Sequence, residues 1–113
     1  MPRDFPEPDW KTLSRLKPLA LDRLCQRILM TSEDIIVRVK EGGYHSAYLN
    51  LFKHIQTNDK TLSNCFDKWS RSHALEILIN WKSEELLTEE EFAAFSPETR
   101  EMVNFLLRRV RRE

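Results

Sequence analysis

Histidine and cysteine are the side chains of this sequence best suited to metal binding or nucleophilic chemistry, and few are present. The three histidines are His45, His54 and His73. Two metal ligands on one helix face stand three or four residues apart, a spacing that no pair of these histidines has. A metal or small-ligand site assembled from distant parts of the chain, with His54, His73, Cys65 and Asp67, is the alternative that stays open.

No motif of a known catalytic chemistry is present in the sequence. It contains no glycine-rich phosphate loop, no nucleophile elbow and no His-Glu-x-x-His zinc signature. Cys25 and Cys65 lie inside apolar helical patterns, where a thiol usually behaves as a small buried hydrophobe. The sequence therefore predicts a protein that is not an enzyme, with no catalytic residues, no cofactor and no resident metal.

Arginine is concentrated towards the end of the sequence. The arginines in question are Arg100, Arg108, Arg109, Arg111 and Arg112. Basic side chains near the carbonyl-rich end of a helix are stabilised by roughly 0.3 to 1 kcal/mol each, which explains them without a ligand. The alternative is a phosphate-binding face, as in a nucleic-acid-associated regulator. The chain carries 18 basic and 18 acidic residues, and this neutrality argues against nucleic-acid binding.

Aromatic residues make up 10% of the chain, and a small core covers only some of them completely. Four of them fall on inward-facing helical stripes and are expected in the core: Tyr48, Phe52, Phe66 and Trp81. Other aromatics stand near helix ends or loops, where uncovered rings mark contact surfaces. Together with one loop histidine, they are the candidate partner-binding residues Phe5, Trp10, Tyr44, His45 and Trp69.

The composition favours a single all-α domain. Of the 113 residues, 41% are hydrophobic and 32% are charged, which suits one domain with its own core. The sequence contains only two glycines, while helix formers are abundant. We therefore expect an irregular bundle of five to six helices over residues 9–113. The early prolines predict an extended arm over residues 1–8.

Apolar spacings of three and four residues predict the helices of the first half. A short helix is expected over residues 10–17. A new helix then begins at Pro18, with a second start at Thr31 left open, and ends at Gly42 and Gly43. A strongly amphipathic helix begins at Tyr44, and the polar residues 57–59 are expected to end it before another short helix.

The second half of the sequence has clear helix-start signals. The run over residues 74–81 is apolar on nearly every side, which predicts a central helix packed on more than one neighbour. Thr88 and Glu91 have the spacing of a capping box. Ser96 and Pro97 begin a last helix. Its residues expected to face inward are Met102, Val103, Leu106 and Val110.

Amphipathic helices, many aromatic residues and the absence of catalytic motifs together predict a non-catalytic protein–protein interaction or adaptor module. Self-association is one form that this function could take, and a nucleic-acid-associated regulator is the alternative. No apolar run is long enough to cross a membrane, and the first residues are charged and rich in proline. We therefore expect a cytoplasmic protein with a protein partner and no membrane partner.

Overall fold

The computed structural model describes residues 5–112, with side chains described for residues 5–110. This part of the chain contains six α-helices, one 3₁₀ turn and no strand, which confirms the all-α bundle. The helices are α1 (Glu7–Val37), α2 (Val39–Gly42), α3 (Tyr44–Phe66), α4 (Ala74–Ser83), α5 (Glu89–Ala93) and α6 (Pro97–Arg112). The 3₁₀ turn, Arg71–His73, precedes α4. Within the described residues, no helix combines the length and the apolar character that crossing a bilayer requires.

Helix α1 runs without a break through both Pro18 and Thr31. The expected helix break at Pro18 is wrong because the core continues on both sides of it. Leu16 and Ala20 are at most 1% exposed, and this packing outweighs the cost of about 3 kcal/mol for an interior proline. The helix does not restart at Thr31 either. The hydroxyl of the next residue, Ser32, donates to the Ile28 carbonyl at 2.8 Å, so this polar side chain is satisfied within the same helix.

The start of α1 differs from the extended arm expected over residues 1–8. The helix begins at Glu7, with Pro8 in its first turn, where the missing amide hydrogen would have no helical partner in any case. Phe5 precedes the helix and is only 6% exposed. Its carbonyl accepts a 2.7 Å hydrogen bond from Nε of Arg71. Residues 1–4 of the expected arm lie outside the described range.

Helix α3 continues through residues 57–59, so the helix end expected there is wrong. The Asn58 side-chain amide donates to the His54 carbonyl at 2.9 Å and lies 3.1 Å from Nδ1 of the same histidine. The polar side chain is therefore satisfied inside the helix and does not compete with it. The last turn of α3 is held by burial of Cys65 and Phe66.

Helices α1 and α3 form an antiparallel hairpin, closed by α2 and the two glycines. The predicted stop at Gly42 and Gly43 is confirmed for the helical segment as a whole, because α2 ends at Gly42, but the long helix α1 already ends at Val37. Gly43 has φ +89°, in the left-handed region that favours glycine, and nothing lies within 4 Å of the position a Cβ would take. A side chain at this tip would therefore strain the backbone without meeting a neighbour.

Helix α4 is the centre of the remaining fold, as predicted, and packs against α1, α3 and α6. Its buried residues include Ala74, Leu78 and Trp81, each fully inaccessible to solvent. The indole of Trp81 donates to the Cys65 carbonyl at 3.0 Å, so its one polar group is satisfied. We call α4, α5, α6 and the segments that join them the body.

Helix α5 begins with the predicted capping box. The Thr88 hydroxyl accepts from the Glu91 amide, and the Glu91 carboxylate accepts from the Thr88 amide. Both Glu91 oxygens also accept from the Arg23 guanidinium of α1, at 2.6 and 2.9 Å. The hydrogen bonds from Arg23 are the main reason why the pKa of Glu91 falls from 4.5 to about 2. This paired contact fastens the body to α1.

Asp9 of α1 joins the first helix to the start of the last. It is 2% exposed, and its carboxylate accepts from the Ser96 amide at 2.8 Å, the Ser96 hydroxyl at 2.7 Å and the Thr99 hydroxyl at 2.6 Å. A residue distant in sequence thus satisfies the free groups at the start of α6. No buried side-chain nitrogen or oxygen among the described residues lacks a hydrogen-bond partner.

The inward face of α6 is narrower than predicted. Val103 is fully buried and Leu106 is half-buried, as expected. Met102 and Val110 were expected inward but are 48% and 64% exposed. Leu107, which the pattern did not single out, is buried. The reason is that α4 is the main neighbour of α6, and one main neighbour covers only a narrow row.

The protein is elongated, with extents of 53 × 31 × 24 Å and a radius of gyration of 16.9 Å. A compact chain of this length has a radius of gyration of about 13 Å. Arg27 and Asn64 are the residues nearest the hairpin tip through which α1 and α3 form hydrogen bonds with the body, in the described part of the chain. Residues 28–58 extend past these contacts, and we call them the distal hairpin.

Asp9→Ala is expected to destabilise the protein by about 1 to 3 kcal/mol, because three donors at the start of α6 lose their acceptor in a buried place. Urea denaturation at neutral pH measures the change. Asp34→Ala is the matched control, since Asp34 lies on the same helix and is exposed. Equal stability of the two variants would contradict the role given to Asp9.

Glu91→Gln keeps the capping-box geometry and removes the charge that Arg23 binds. Because the folded-state pKa of Glu91 is lowered, its contribution is complete above about pH 4.5 and is lost as the pH falls towards 2. The wild type should therefore exceed the variant by on the order of 2 kcal/mol at pH 6, after allowance for solvent screening. Denaturation at pH 6 and near pH 2 should show this gap closing. A gap that stays constant, or that also appears for the exposed control Glu90→Gln, would contradict the account.

Candidate interaction surface

An inner row of side chains holds the two helices of the distal hairpin together. Ile28 and Ser32 of α1 are buried, and the other inner residues are half-buried: Ile35 of α1 and Ala47, Leu51, His54 and Asn58 of α3. Nε2 of His54 lies 2.9 Å from the Ile28 carbonyl oxygen, which sets the register of the pair. This inner row is the only line of contact between the two helices here, and no other element of the described residues packs on the distal hairpin.

The side chains next to the inner row differ sharply between the two sides of the hairpin. Because the helices run in opposite directions, residues one position after each inner residue fall on the same side of the pair. These residues are Leu29, Glu33, Ile36, Tyr48, Phe52, Ile55 and Asp59. Residues one position before each inner residue fall on the other side, and all are polar: Arg27, Thr31, Asp34, Ser46, Asn50, Lys53 and Thr57.

The first of these sides carries an apolar surface, which Glu33 interrupts only on α1, between Leu29 and Ile36. We define the apolar face as Leu29, Ile36, Tyr44, Tyr48, Phe52 and Ile55, in which Tyr44 stands at the tip. Their exposed fractions lie between 44% and 85%. The rings of Tyr48 and Phe52 stack on each other with centroids 6.5 Å apart, so the aromatic part of the face is ordered by its own contacts.

The apolar face is about as large as the largest apolar patches on typical monomers. At about 200 Å² for a whole large side chain, the exposed fractions correspond to on the order of 700 Å². The largest apolar patch on a typical monomer is about 300 to 600 Å² and is often functional. The face also continues at its base towards Cys25, which is half-buried. A surface of this extent is typical of a contact site.

The prediction that Tyr48 and Phe52 lie in the core is wrong. They are 63% and 55% exposed, whereas Phe66 and Trp81 are buried as predicted. The apolar stripe of α3 is two residues wide, and α1 covers only the row of Ala47 and Leu51. An apolar stripe too wide for one neighbouring helix to cover was the sequence signal that part of it faces solvent or a partner.

The structure divides the predicted partner-binding residues into two groups. Tyr44 is 85% exposed, and His45 beside it is exposed. The expectation that Phe5 is exposed is wrong, because Phe5 belongs to the core. Trp10 and Trp69 are partly buried against that core, with ring centroids 5.3 Å apart. Only the pair at the hairpin tip therefore lies next to the apolar face.

The three terminal arginines whose side chains are described do not meet at one site. Nε of Arg100 donates to the Phe95 carbonyl at 2.9 Å. Arg108 lines a cleft that also contains the acidic Glu85 and Glu89. Arg109 lies over its own helix's Phe105 ring, 5.8 Å from the centroid, on a different side of α6. The side chains of Arg111 and Arg112 lie outside the described residues.

The residues of the alternative metal site do not form a cluster, and one of them, Asp67, is exposed. Nδ1 of His73 lies 2.8 Å from the Ser70 hydroxyl, and both ring nitrogens of His54 have partners within α1 and α3. Burial raises the pKa of the Cys65 thiol to about 11, so this thiol stays protonated at neutral pH. Across the described residues, no cluster of three or more His, Cys, Asp or Glu could hold a metal ion.

Comparison with protein-family models, with curated proteins and with solved structures finds no match to this chain. The functional interpretation therefore depends on the surface itself. What the geometry offers is an apolar, partly aromatic face on a protruding helical hairpin, with polar side chains on the opposite side of the helical pair. Three more exposed apolar residues lie on the outer sides of the two helices: Met30, Val37 and Leu49. Helical surfaces of this kind bind other helices by packing apolar side chains between them.

Phe52→Ala is expected to change the free energy of unfolding by less than about 1 kcal/mol at dilute protein, because the ring is half in water already. Phe66→Ala removes the same group from a buried position, 9% exposed, and should cost about 3 to 5 kcal/mol. Chemical denaturation followed by circular dichroism compares the two. Similar losses for both variants would show that Phe52 is part of the fold and not of a free surface.

Proposed function

We propose that the protein is a non-catalytic protein–protein interaction module whose docking element is the distal hairpin. The main support for the proposal is the difference in polarity between the two sides of the helical pair. Five of the seven positions that follow an inner residue are large and apolar, while all seven that precede one are polar. A hairpin that needed only to fold and stay in solution would be polar on both sides.

The position of the apolar face supports the same proposal. The distal hairpin extends past the hydrogen bonds that fasten the body, so a partner can approach the face without displacing any of them. The base of the hairpin is held by Asp9, Arg23 and Trp81. A rigidly held helical pair loses little conformational freedom on binding, which favours affinity.

The side chains capable of chemistry support a non-catalytic function. Cys65 is buried and protonated, His54 is bonded within the hairpin, and His73 is bonded to Ser70. None of these groups stands in the geometry of a nucleophile with its base. We do not propose nucleic-acid binding, because the described terminal arginines contact their own chain or share a cleft with acids. A cytoplasmic location stays a prediction from the sequence.

The test of this function uses two double variants of the full chain. Tyr48→Glu with Phe52→Glu places two charges on the apolar face. Ser46→Glu with Asn50→Glu places the same two charges on the polar side of the same two turns. All four positions are exposed, so both variants should fold, and circular dichroism checks that they do.

The tagged protein is incubated with a cell lysate, retained proteins are identified by mass spectrometry, and the best candidate is purified and rebound. We expect a partner, either another protein or the chain itself, whose affinity falls at least about 100-fold with the apolar-face variant, or roughly 3 kcal/mol. The polar-side variant should bind as the wild type does. No retained partner together with no self-association, or a partner that both variants bind equally, would refute the proposal.

A further inference from the structure

The apolar face is large enough to be half of a stable interface between two proteins. A standard interface buries about 800 Å² on each partner, close to the order of 700 Å² that this face exposes. The face is also elongated along two parallel helix axes. Its best-fitting occupant is therefore another helical pair, since two hairpins packed face to face give a four-helix bundle.

The distribution of side chains along the face makes it complementary to itself. From the register set by His54 and Ile28, Leu29 lies near the level of Ile55, and Ile36 lies near that of Tyr48. Phe52 falls between the two levels. A two-fold rotation about an axis near Phe52 therefore exchanges an apolar pair at the base with an apolar pair at the tip, as an isologous interface requires.

The charges at the two ends of the face select one orientation. Asp22 and Asp59 are exposed at its base, Lys40 is exposed at its tip, and Glu33 is exposed midway along it. In an antiparallel pair, the tip of each copy lies over the base of the other, so Lys40 of one copy lies near the two aspartates of the other. Glu33 then lies near its own counterpart close to the axis, and it is the one acidic group of the face that this orientation places near a like charge. A parallel pair would instead bring Asp22 of one copy against Asp59 of the other, and like charges would repel.

We propose that the occupant of the apolar face is a second copy of this chain, with two distal hairpins packed antiparallel about a two-fold axis near Phe52. This inference rests on the proposed function, because it names the partner of the same surface. Leu29 of one copy packs on Ile36 of the other, and Ile55 packs on Tyr48. The two bodies then lie at opposite ends of a four-helix bundle.

Sedimentation equilibrium of the purified full chain over about 1 to 500 μM tests the dimer. The average mass is expected to rise from 13.5 kDa to twice that value, about 27 kDa, with concentration. The Tyr48→Glu, Phe52→Glu variant should remain monomeric over this range, with an association at least about 100-fold weaker. The Ser46→Glu, Asn50→Glu variant should dimerise as the wild type does.

Disulfide formation tests the orientation. Phe52→Cys, in a chain that also carries Cys25→Ser, places a thiol near the proposed axis, where two copies bring it close to itself. Mild oxidation should give a covalent dimer with this variant. Asn50→Cys in the same background is the control on the opposite side and should stay monomeric. In a parallel pair, Phe52 would face α1 of the other copy, and its thiols would not meet.

The outcomes separate this inference from the proposed function. A wild type that stays monomeric to about 500 μM overturns the dimer, and a lysate partner that requires the apolar face would leave the proposed function standing. A dimer that the apolar-face charges do not weaken overturns the inference, and it also overturns the proposed function when no lysate partner requires the apolar face. A dimer weakened by them but not cross-linked through Phe52→Cys overturns the antiparallel arrangement.

Discussion

The two long helices of this protein are longer than the body that packs on them, and the rest of the structure depends on this mismatch. At 1.5 Å per residue, the 31 residues of α1 and the 23 of α3 span about 46 and 35 Å. The body is built from α4, with 10 residues, α5, with five, and one side of α6. It covers one end of the hairpin, and the other end must face water or a partner.

The interactions at the covered end fix the orientation of the uncovered end. Asp9 fastens α1 to α6, Arg23 fastens it to α5, and the Trp81 indole fastens α4 to the last turn of α3. Each of these contacts joins residues far apart in the sequence. Together they hold the base of both long helices, so that the distal hairpin is presented in one orientation. A binding surface held in this way is organised before its partner arrives.

Local signals in the sequence were sufficient for part of the fold. The Thr88 and Glu91 capping box, the stop at Gly42 and the central position of α4 depend on neighbouring residues or on composition. The helix break predicted at Pro18 and the helix end predicted at residues 57–59 are wrong because local helix propensity does not decide there. Burial of Leu16, Ala20 and Cys65 stabilises the continuous helices instead. Propensity alone could not show that those helices pack against each other.

The candidate surface was the hardest part to predict, for a related reason. Periodicity identifies an apolar stripe on α3 but does not say how many neighbours cover it. Tyr48 and Phe52 are therefore indistinguishable from core residues until the body is known to end before them. Phe5 shows the converse, because a residue in a proline-rich start has no periodic pattern, yet Phe5 is buried in the core and its carbonyl accepts from Arg71.

In the proposed dimer, the apolar side of the distal hairpin is buried against a second copy of the chain. Hydrogen–deuterium exchange of the full chain, compared between dilute and concentrated protein, locates this contact along the sequence. Exchange should be slower at high concentration over residues 29–37 and 44–55, while the amides of α4 to α6 remain unchanged. Protection that appears only in the body, or no change anywhere, would overturn the dimer.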